Sequence, residues 1–234
     1  MLKYITFDFW NTLFKESDPK ASSMLRISSI QSLMARHGWK VTEEQVKTGL
    51  QKCWQTARDE QLIDGLDSGP RGQVQMLARI LELPQDTEFL QELYNVYTGV
   101  LSQVPPVLNE GASEILEYLA PRYKIALICN TGATPGLILR DFMKANAIFD
   151  YFETVVFSDE VTWAKPNPEI FRHTLGLIKG QPEQAVHVGD DPITDVIGAR
   201  KSGMQAAWLA PYSDWAVPEC TWHIKSLREL KSFL

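Results

Sequence analysis

The run Tyr4-Ile5-Thr6-Phe7-Asp8 decides the fold, because it is β-prone and almost continuously apolar until it meets a carboxylate. Such a run is typical of a parallel strand that is buried on both faces. Later in the chain, short apolar segments alternate with helical patterns, at residues 125–128, 154–157, 185–188 and 205–209. Because β and α units alternate, we predict an α/β fold with a doubly wound parallel sheet and helices on both faces.

The segment after the first strand has a different texture. Residues 16–102 carry helical periodicity, with apolar positions at intervals of three and four from Met24 to Met34 and a capping-box pattern at Thr42 and Gln45. A crossover between parallel strands needs only about a dozen residues. We therefore predict an all-helical inserted domain over 16–102, and an α/β core made of residues 1–15 and 103–234.

Composition limits the classes of partner. The chain has 234 residues, 44% of them hydrophobic, with 29 acidic and 23 basic side chains and a net charge of -6. An acidic chain of this kind argues against nucleic acid and against a membrane surface, both of which need a basic face. The three cysteines have no disulfide or zinc spacing, and no signal peptide or apolar run of about 20 residues is seen. We expect a cytoplasmic protein with a small-molecule partner, and the sequence leaves its oligomeric state open.

Polar side chains follow the predicted strands at the point where each strand ends. In open α/β sheets, ligands bind outside the carboxyl ends of the strands. Each polar residue taken alone has an ordinary alternative as a turn former or helix cap. Their recurrence at successive strand ends favours one site, and its members are Asp8, Asn130, Lys165, Asp190, Asp191 and Asp195.

Charge favours a metal ion at this site. Asp8, Asp190 and Asp195 would bring three carboxylates together against the single ammonium of Lys165. Like charges a few ångströms apart disfavour full ionisation unless a cation lies between them. Mg²⁺ is a hard cation that binds one or two carboxylates together with a substrate phosphate. Asp8, which directly follows an apolar strand, is the natural nucleophile.

These motifs resemble those of the haloacid dehalogenase-like (HAD) superfamily, whose members are mostly magnesium-dependent phosphatases. The similarity runs along the whole chain in order, and the helical insert is similar to the cap domain of that family. The segments that carry it are Asp8-Phe9-Trp10-Asn11-Thr12-Leu13, Ile125 to Asn130, Lys165-Pro166, and Gly189-Asp190 through Asp195, followed by Gly198-Ala199-Arg200.

The resemblance implies a role for each matching residue. Asp8 would attack phosphorus and form an aspartyl intermediate, and Asn130 would hold a phosphoryl oxygen. Lys165 would balance the charge of the nucleophile and the phosphoryl group, with Asp195 or Asp191 holding Lys165 or a metal-bound water. The implied metal contacts are Asp8, the backbone carbonyl at Trp10, Asp190 and Asp195.

Two positions depart from the family pattern. Phosphatases of the family carry a second aspartate two residues after the nucleophile, as general acid and base, and this chain has Trp10 there. Loss of a general acid costs about 10²–10⁴ in rate, mostly for leaving groups that need a proton. Cys129 stands where the family has serine or threonine, and a thiol is a weak donor that more often packs as a small hydrophobe.

Two other functions stay open beside the magnesium-dependent phosphatase. The 2-haloacid dehalogenases of the family carry an aromatic residue at the position of Trp10, and halide leaves without a proton. The acidic fourth motif argues against that reading, because these enzymes use no metal. The third reading is a catalytically weak protein that binds a ligand or partner on the same scaffold.

Candidate substrate contacts lie on both sides of the predicted site. Trp10 and Thr131 are the candidates in the core. Arg58 and Arg71 are the candidates in the insert, where solvated surface arginines are the commoner case, with the loop Gly65–Pro70 as a flexible tip. His187 lies inside a predicted strand and is read as a packed histidine.

Overall fold

The computed structural model describes residues 1–215 and 217–234 and contains a parallel six-stranded sheet. The sheet has the order β5-β4-β1-β6-β7-β8, so the first strand of the chain lies near its centre. This confirms the predicted α/β fold. The strands are β1 (Tyr4–Phe7), β2 (Phe14–Lys15), β3 (Val107–Leu108), β4 (Lys124–Cys129), β5 (Thr154–Phe157), β6 (Ala185–Gly189), β7 (Gln205–Leu209) and β8 (Trp222–Ile224).

Helices cover both faces of the sheet, as expected for a doubly wound fold. Alternate residues of β4 belong to different cores: Ile125 and Leu127 pack on one face, and Ala126 and Ile128 on the other. The helices are α1 (Pro19–Arg36), α2 (Glu43–Asp59), α3 (Gly69–Ile80), α4 (Thr87–Thr98), α5 (Ala112–Leu119), α6 (Gly136–Ala145), α7 (Ser158–Val161), α8 (Pro168–Leu177) and α9 (Gly198–Lys201). Among the residues described, no helix is long and apolar enough to cross a membrane.

Some elements differ from the sequence prediction. Strand β8 extends the sheet beyond β7, and its three residues are too few to show an alternating pattern. Strands β2 and β3 pair antiparallel, so the two connections to the insert run side by side at its base. After β6, a π-helical turn over Pro192–Ile197 carries Asp195 and continues into α9.

Helices α1 to α4 all lie within residues 16–102 and share a hydrophobic core of their own. Ile30, Leu50, Leu77 and Leu93 contribute one buried side chain from each helix. The predicted capping box opens α2, since the backbone of Gln45 donates to Thr42 Oγ1 at 3.2 Å and the backbone of Thr42 donates to Gln45 Oε1 at 2.9 Å. The limits of this insert as an independent domain stay a prediction.

The far loop of the insert contacts the core directly. Leu66 forms an antiparallel bridge with Trp163, and the backbone of Asp67 donates to the carbonyl of Thr162 at 2.7 Å. The backbone of Ala164 donates to the carbonyl of Gly65 at 3.0 Å. The segment read from the sequence as a flexible tip is therefore tied to the turn that precedes Lys165.

Candidate active site

The carboxyl ends of the central strands β4, β1 and β6 bring the predicted polar residues to one edge of the sheet. Asp8 directly follows β1, and its backbone donates to the carbonyl of Val188 in β6 at 2.9 Å. Asn130 directly follows β4, and Asp190 directly follows β6. The sheet order alone makes these three residues neighbours.

Lys165 joins two of the acidic residues in the interior. Its Nζ lies 2.6 Å from Asp8 Oδ1 and 2.5 Å from Asp195 Oδ1, and the lysine is 1% exposed. Asp195 reaches this place because residue 189 is glycine: a Cβ there would lie 2.2 Å from the Asp195 carboxyl carbon. A side chain at position 189 would therefore collide with the Asp195 carboxylate, and only glycine leaves room for it.

Asn130 positions this lysine through its backbone. Its Nδ2 donates to the carbonyl of Lys165 and its Oδ1 accepts from the backbone N–H of Lys165, each at 2.8 Å. A second contact joins Nδ2 to Gln61 Oε1 at 3.3 Å. The sequence predicted that this amide holds a phosphoryl oxygen. In the structure both of its ends are engaged with protein groups, and its visible role is to fix the turn that carries Lys165.

The ion pair shifts the pKa values of its members in opposite directions. Burial alone would lower the pKa of Lys165, but Asp195 and Asp8 raise it above its ordinary value. Burial alone would raise the pKa of Asp195, but Lys165 and a hydrogen bond from His187 hold it below its usual range. Lys165 and Asp195 are therefore both charged at neutral pH.

The pKa values of Asp8 and Asp190 are raised, unlike that of Asp195. Burial raises the pKa of Asp8 against the pull of Lys165, and the charges of Asp195 and Asp190 raise it further. Burial and Asp195 also raise the pKa of Asp190, which accepts a hydrogen bond from Asn11 Nδ2 at 3.2 Å. Full ionisation of Asp8 and Asp190 beside Asp195 therefore requires more positive charge than Lys165 alone supplies.

The carboxylates are close enough to share a cation. One oxygen from each of Asp8, Asp190 and Asp195 lies within 4.8 Å of the other two. Carboxylate oxygens are the ligands that hard divalent cations such as Mg²⁺ prefer. The donor type, the spacing and the need for further positive charge together fit a divalent metal ion at this edge of the sheet.

His187 belongs to the site, although the sequence indicated only a packed histidine. Its Nε2 lies 3.1 Å from Asp195 Oδ1, and its Nδ1 lies 2.8 Å from the hydroxyl of Thr6, its register partner in β1. Burial lowers the pKa of His187, so the ring is neutral. A neutral ring that donates from Nε2 and accepts at Nδ1 satisfies both contacts and orients Asp195 toward Lys165.

A cavity of about 370 Å³ lies between the insert and the core beside these residues. Trp10 lines it from the core, with its ring edge against Phe9 at a centroid distance of 4.9 Å. Trp54 lines it from the insert. Other lining residues are Glu16, Arg26, Arg58, Asn130 and Thr131.

Thr131 is 2% exposed and is held by a carboxylate from the insert. Its backbone donates to Ser158 Oγ at 2.9 Å, and its hydroxyl lies 3.4 Å from Asp67 Oδ2. Ser158 also donates to Asp67, which accepts from the backbone of Gly69 at 2.8 Å. Neither Asp67 nor Ser158 was predicted. Ser158 directly follows β5, so the strand-end signal could have found it, whereas Asp67 lies in the far loop of the insert and carries no such signal.

The two candidate arginines of the insert have different positions. Arg58 lines the cavity and reaches Asp191 Oδ2 at 3.3 Å across the gap to the core. Arg71 does not line the cavity: its Nη1 contacts Gln91 at 3.2 Å and its guanidinium lies 4.4 Å from the Tyr94 ring centroid. The predicted contact of Arg71 with substrate therefore has no geometric support, because a cation–π contact holds the side chain elsewhere.

Cys129 is fully buried in the core at the end of β4. Its thiol donates to the carbonyl of Asn130 at 3.4 Å, and burial raises its pKa well above the ordinary value. Cys129 is therefore a neutral thiol that packs behind the site.

Comparison with known proteins gives one consistent family. The model of the haloacid dehalogenase-like hydrolases matches residues 2–203. A glyceraldehyde 3-phosphate phosphatase of Pyrococcus abyssi is 28% identical over 214 residues, which is 89% of this chain and 82% of that protein.

Solved structures of two differently named enzymes share the fold almost equally. A HAD phosphatase from Thermococcus onnurineus has a TM-score of 0.72, and a 2-haloacid dehalogenase from Pseudomonas syringae pv. tomato has a TM-score of 0.74. Both are 22% identical to this chain, and both comparisons cover 99% of this chain and 97% of the other. Backbone similarity therefore does not separate phosphatase from dehalogenase, and the side chains of the site have to.

Proposed function

The chain belongs to the haloacid dehalogenase-like hydrolases, and from that premise we propose that it is a magnesium-dependent phosphatase of a small phosphorylated metabolite. The observation that carries the proposal is the charge of the site. Three buried or half-buried carboxylates with oxygens within 4.8 Å of one another face a single ammonium. A divalent cation and a phosphoryl group balance this arrangement, whereas displacement of halide requires no cation.

Asp8 is the nucleophile in this proposal. One carboxylate oxygen attacks phosphorus, and the bond to the ester oxygen breaks with its electron pair on the leaving group. Water then attacks the phosphorus of the aspartyl phosphate, which releases inorganic phosphate and returns the carboxylate. Asp8 suits the first step because Lys165 Nζ holds its Oδ1 at 2.6 Å, and its Oδ2 is left for the attack.

Lys165 balances the negative charge on the nucleophile and on the phosphoryl group that it receives. Its position depends on three neighbours, since Asn130 fixes its backbone and Asp195 its ammonium, while His187 orients Asp195. Preorganised charge of this kind stabilises a transition state without reorganisation during the reaction.

The metal ligands in this proposal are Asp8, Asp190, Asp195 and the backbone carbonyl at Trp10. When bound, a divalent ion supplies positive charge to the phosphoryl oxygens. Asp191 is not one of these ligands. Its side chain caps the following π-helical turn by accepting from the backbone N–H groups of Ile193 and Thr194.

Trp10 limits the range of leaving groups. An indole has no carboxyl group with which to protonate an alkoxide. We therefore propose that turnover is fastest for phosphates whose leaving oxygen is stable as an anion, such as acyl and aryl phosphates.

A turnover panel with and without Mg²⁺ tests the function. An aryl phosphate, an acyl phosphate, an alkyl phosphate and a 2-chloro acid are each incubated with protein that has been stripped by a chelator. Magnesium-dependent release of phosphate from the aryl and acyl substrates is the expected result. Release of chloride without metal would overturn the proposal and favour the dehalogenase. A folded protein that turns over none of the four would favour the binding-protein hypothesis.

The Asp8→Asn variant distinguishes the activity of this site from the activity of a contaminating phosphatase. We expect the variant to lose activity by at least about 10³-fold, because the amide does not form the intermediate. The matched control is Asp141→Asn, which changes an exposed aspartate by the same atoms. Activity that survives in Asp8→Asn would refute the nucleophile.

A further inference from the structure

Arg26 is a buried cation in the wall of the cavity. It lies on the buried face of α1 with Ser22, Ile27 and Ile30, and it is 7% exposed. Its Nε donates to the carbonyl of Tyr97 at 3.2 Å. Its guanidinium carbon lies 5.6 Å from the Trp54 ring centroid and 5.5 Å from that of Tyr97.

The charge of Arg26 has no ion-pair partner in the part of the chain that the structure describes. Burial lowers the pKa of Arg26, although Tyr97 and Glu16 act in the opposite direction. Arg140 shows the contrast, since its hydrogen bonds to Glu160 raise its pKa. A buried guanidinium without a carboxylate is costly unless a ligand supplies the missing negative charge.

The surroundings of Arg26 are braced against the core. Trp54 Nε1 donates to the Tyr97 hydroxyl at 2.9 Å, and that hydroxyl donates to Gln73 Oε1 at 2.6 Å. Gln73 Nε2 in turn donates to the carbonyl of Gly132 at 3.1 Å. Arg26 and Trp54 are thus tied to the same loop that carries Asn130 at the catalytic end of the cavity.

We propose that Arg26 binds a carboxylate on the leaving group, so that the substrate is a phosphorylated carboxylic acid whose body lies between Trp10 and Trp54. This inference rests on the proposed function and extends it to the substrate class. At the proposed phosphoryl site the cavity is lined by Asn130 and Trp10, and Arg26 lines another part of its wall. A substrate with a phosphate at one end and a carboxylate at the other can therefore bind the phosphoryl site and Arg26 together.

A singly charged carboxylate fits this wall better than a second phosphate. Glu16 lines the same cavity and repels a dianion more strongly than a monoanion. The other arginine in the lining, Arg58, contacts Asp191. Among its described residues, the cavity therefore offers one buried positive charge that has no ion-pair partner.

A purely structural role for Arg26 is the alternative that the test has to exclude. Tyr97 lies at the end of α4, and a guanidinium at a helix C-terminus stabilises the last carbonyl groups. In that case Arg26 contributes to folding and to the position of Trp54, and the charge of a ligand is irrelevant to it.

The first arm measures binding by calorimetry and needs no turnover. The probes are 3-hydroxybenzoate and the isosteric 3-hydroxybenzamide, each titrated into the wild-type protein, Arg26→Met and Arg26→Lys. We expect the wild type to bind the carboxylate about 10- to 100-fold more tightly than the amide, as for one charge-assisted contact. Arg26→Met removes this preference, and Arg26→Lys retains part of it.

Arg36→Met is the matched control, because it removes the same charge from the same helix at an exposed position. Its preference for the carboxylate stays at the wild-type value. Equal binding of both probes by the wild type overturns the proposal whether or not any variant folds. A preference that persists in Arg26→Met overturns it as well, and assigns Arg26 to the structural role.

The second arm uses 3-carboxyphenyl phosphate and 3-carbamoylphenyl phosphate. Arg26→Met raises KM for the carboxylate substrate about 10- to 100-fold and leaves KM for the amide nearly unchanged. Equal KM changes for the two substrates overturn the proposal. If neither ester is hydrolysed by the wild type, the phosphatase assignment fails, and the binding arm still decides the role of Arg26.

Discussion

Lys165 Nζ lies 2.6 Å from Asp8 Oδ1, and both side chains are removed from solvent. A buried ion pair adds little stability compared with an apolar pair, but removal of one partner leaves an uncompensated charge. In this chain the lysine has a second partner, Asp195, at 2.5 Å. The stability of the core and the chemistry of the site therefore depend on the same ammonium group.

Lys165→Met should lower the free energy of unfolding by about 3–5 kcal/mol at neutral pH, because Asp8 and Asp195 lose their common counter-ion. Urea denaturation measures this difference. Lys144→Met is the control, since Lys144 is exposed and its pair with Asp141 is 3.5 Å long, so we expect less than about 0.5 kcal/mol. Equal effects of the two variants would contradict the assigned role of Lys165.

Mg²⁺ should stabilise the folded protein even without substrate. An ion that binds only the folded state at about 100 times its Kd adds about 2.7 kcal/mol. The measurement is the Tm of chelator-treated protein as Mg²⁺ is added. Asp190→Asn should abolish most of the shift, whereas Asp141→Asn, at an exposed site, should leave it unchanged. A Tm that does not respond to Mg²⁺ in the wild type would refute the metal site.

Trp10→Asp should change the preference among substrates more than the overall rate. A carboxyl group at this position can protonate an alkoxide, which is worth about 10²–10⁴ in rate for alkyl phosphates. The ratio of kcat/KM for an alkyl phosphate to that for an aryl phosphate measures the effect. Trp10→Asn is the matched control, because it makes the same space without a proton donor. An unchanged ratio in Trp10→Asp would show that the missing acid does not limit the reaction.

The sequence predicted those site residues whose positions follow from topology. Asp8, Asn130 and Asp190 each directly follow a strand, and parallel strands place their carboxyl ends at one edge. Lys165 lies in a turn and does not directly follow a strand. It was assigned to the site because the four motifs of the family occur in order along the chain. The alternation of strands and helices was enough for the sheet, except for the short edge strand β8.

The sequence did not predict contacts that depend on how the insert packs against the core. Asp67 reaches Ser158 and Thr131 across 91 and 64 residues of chain. In the sequence, Arg26 is one more polar position of a helix, and it is buried by the packing of α1 against Trp54 of α2 and Tyr97 of α4. Arg71 points away from the cavity because of Tyr94, a neighbour on the next helix.

Asp159 makes the stability of the protein depend on pH. Burial raises the pKa of Asp159 to about 6, with Glu160 and Asp67 adding to the rise and the backbone N–H of Gly136 opposing it. A carboxyl group whose pKa is higher in the folded state than in the unfolded state favours folding while it is protonated. Its contribution is therefore complete below about pH 4, and it is lost as the pH rises through about 6.

Asp159→Asn removes this titration and keeps an oxygen that can accept from Gly136. We expect the variant to be about 1 kcal/mol more stable than the wild type at pH 8, after allowance for solvent screening of a partly exposed group, and about equal at pH 4. Urea denaturation at both pH values measures the two differences. Asp150→Asn, at an exposed position, should show no such dependence on pH. A variant that is less stable than the wild type at pH 8 would mean that the charged form of Asp159 is favoured by its surroundings, against the burial that governs its pKa.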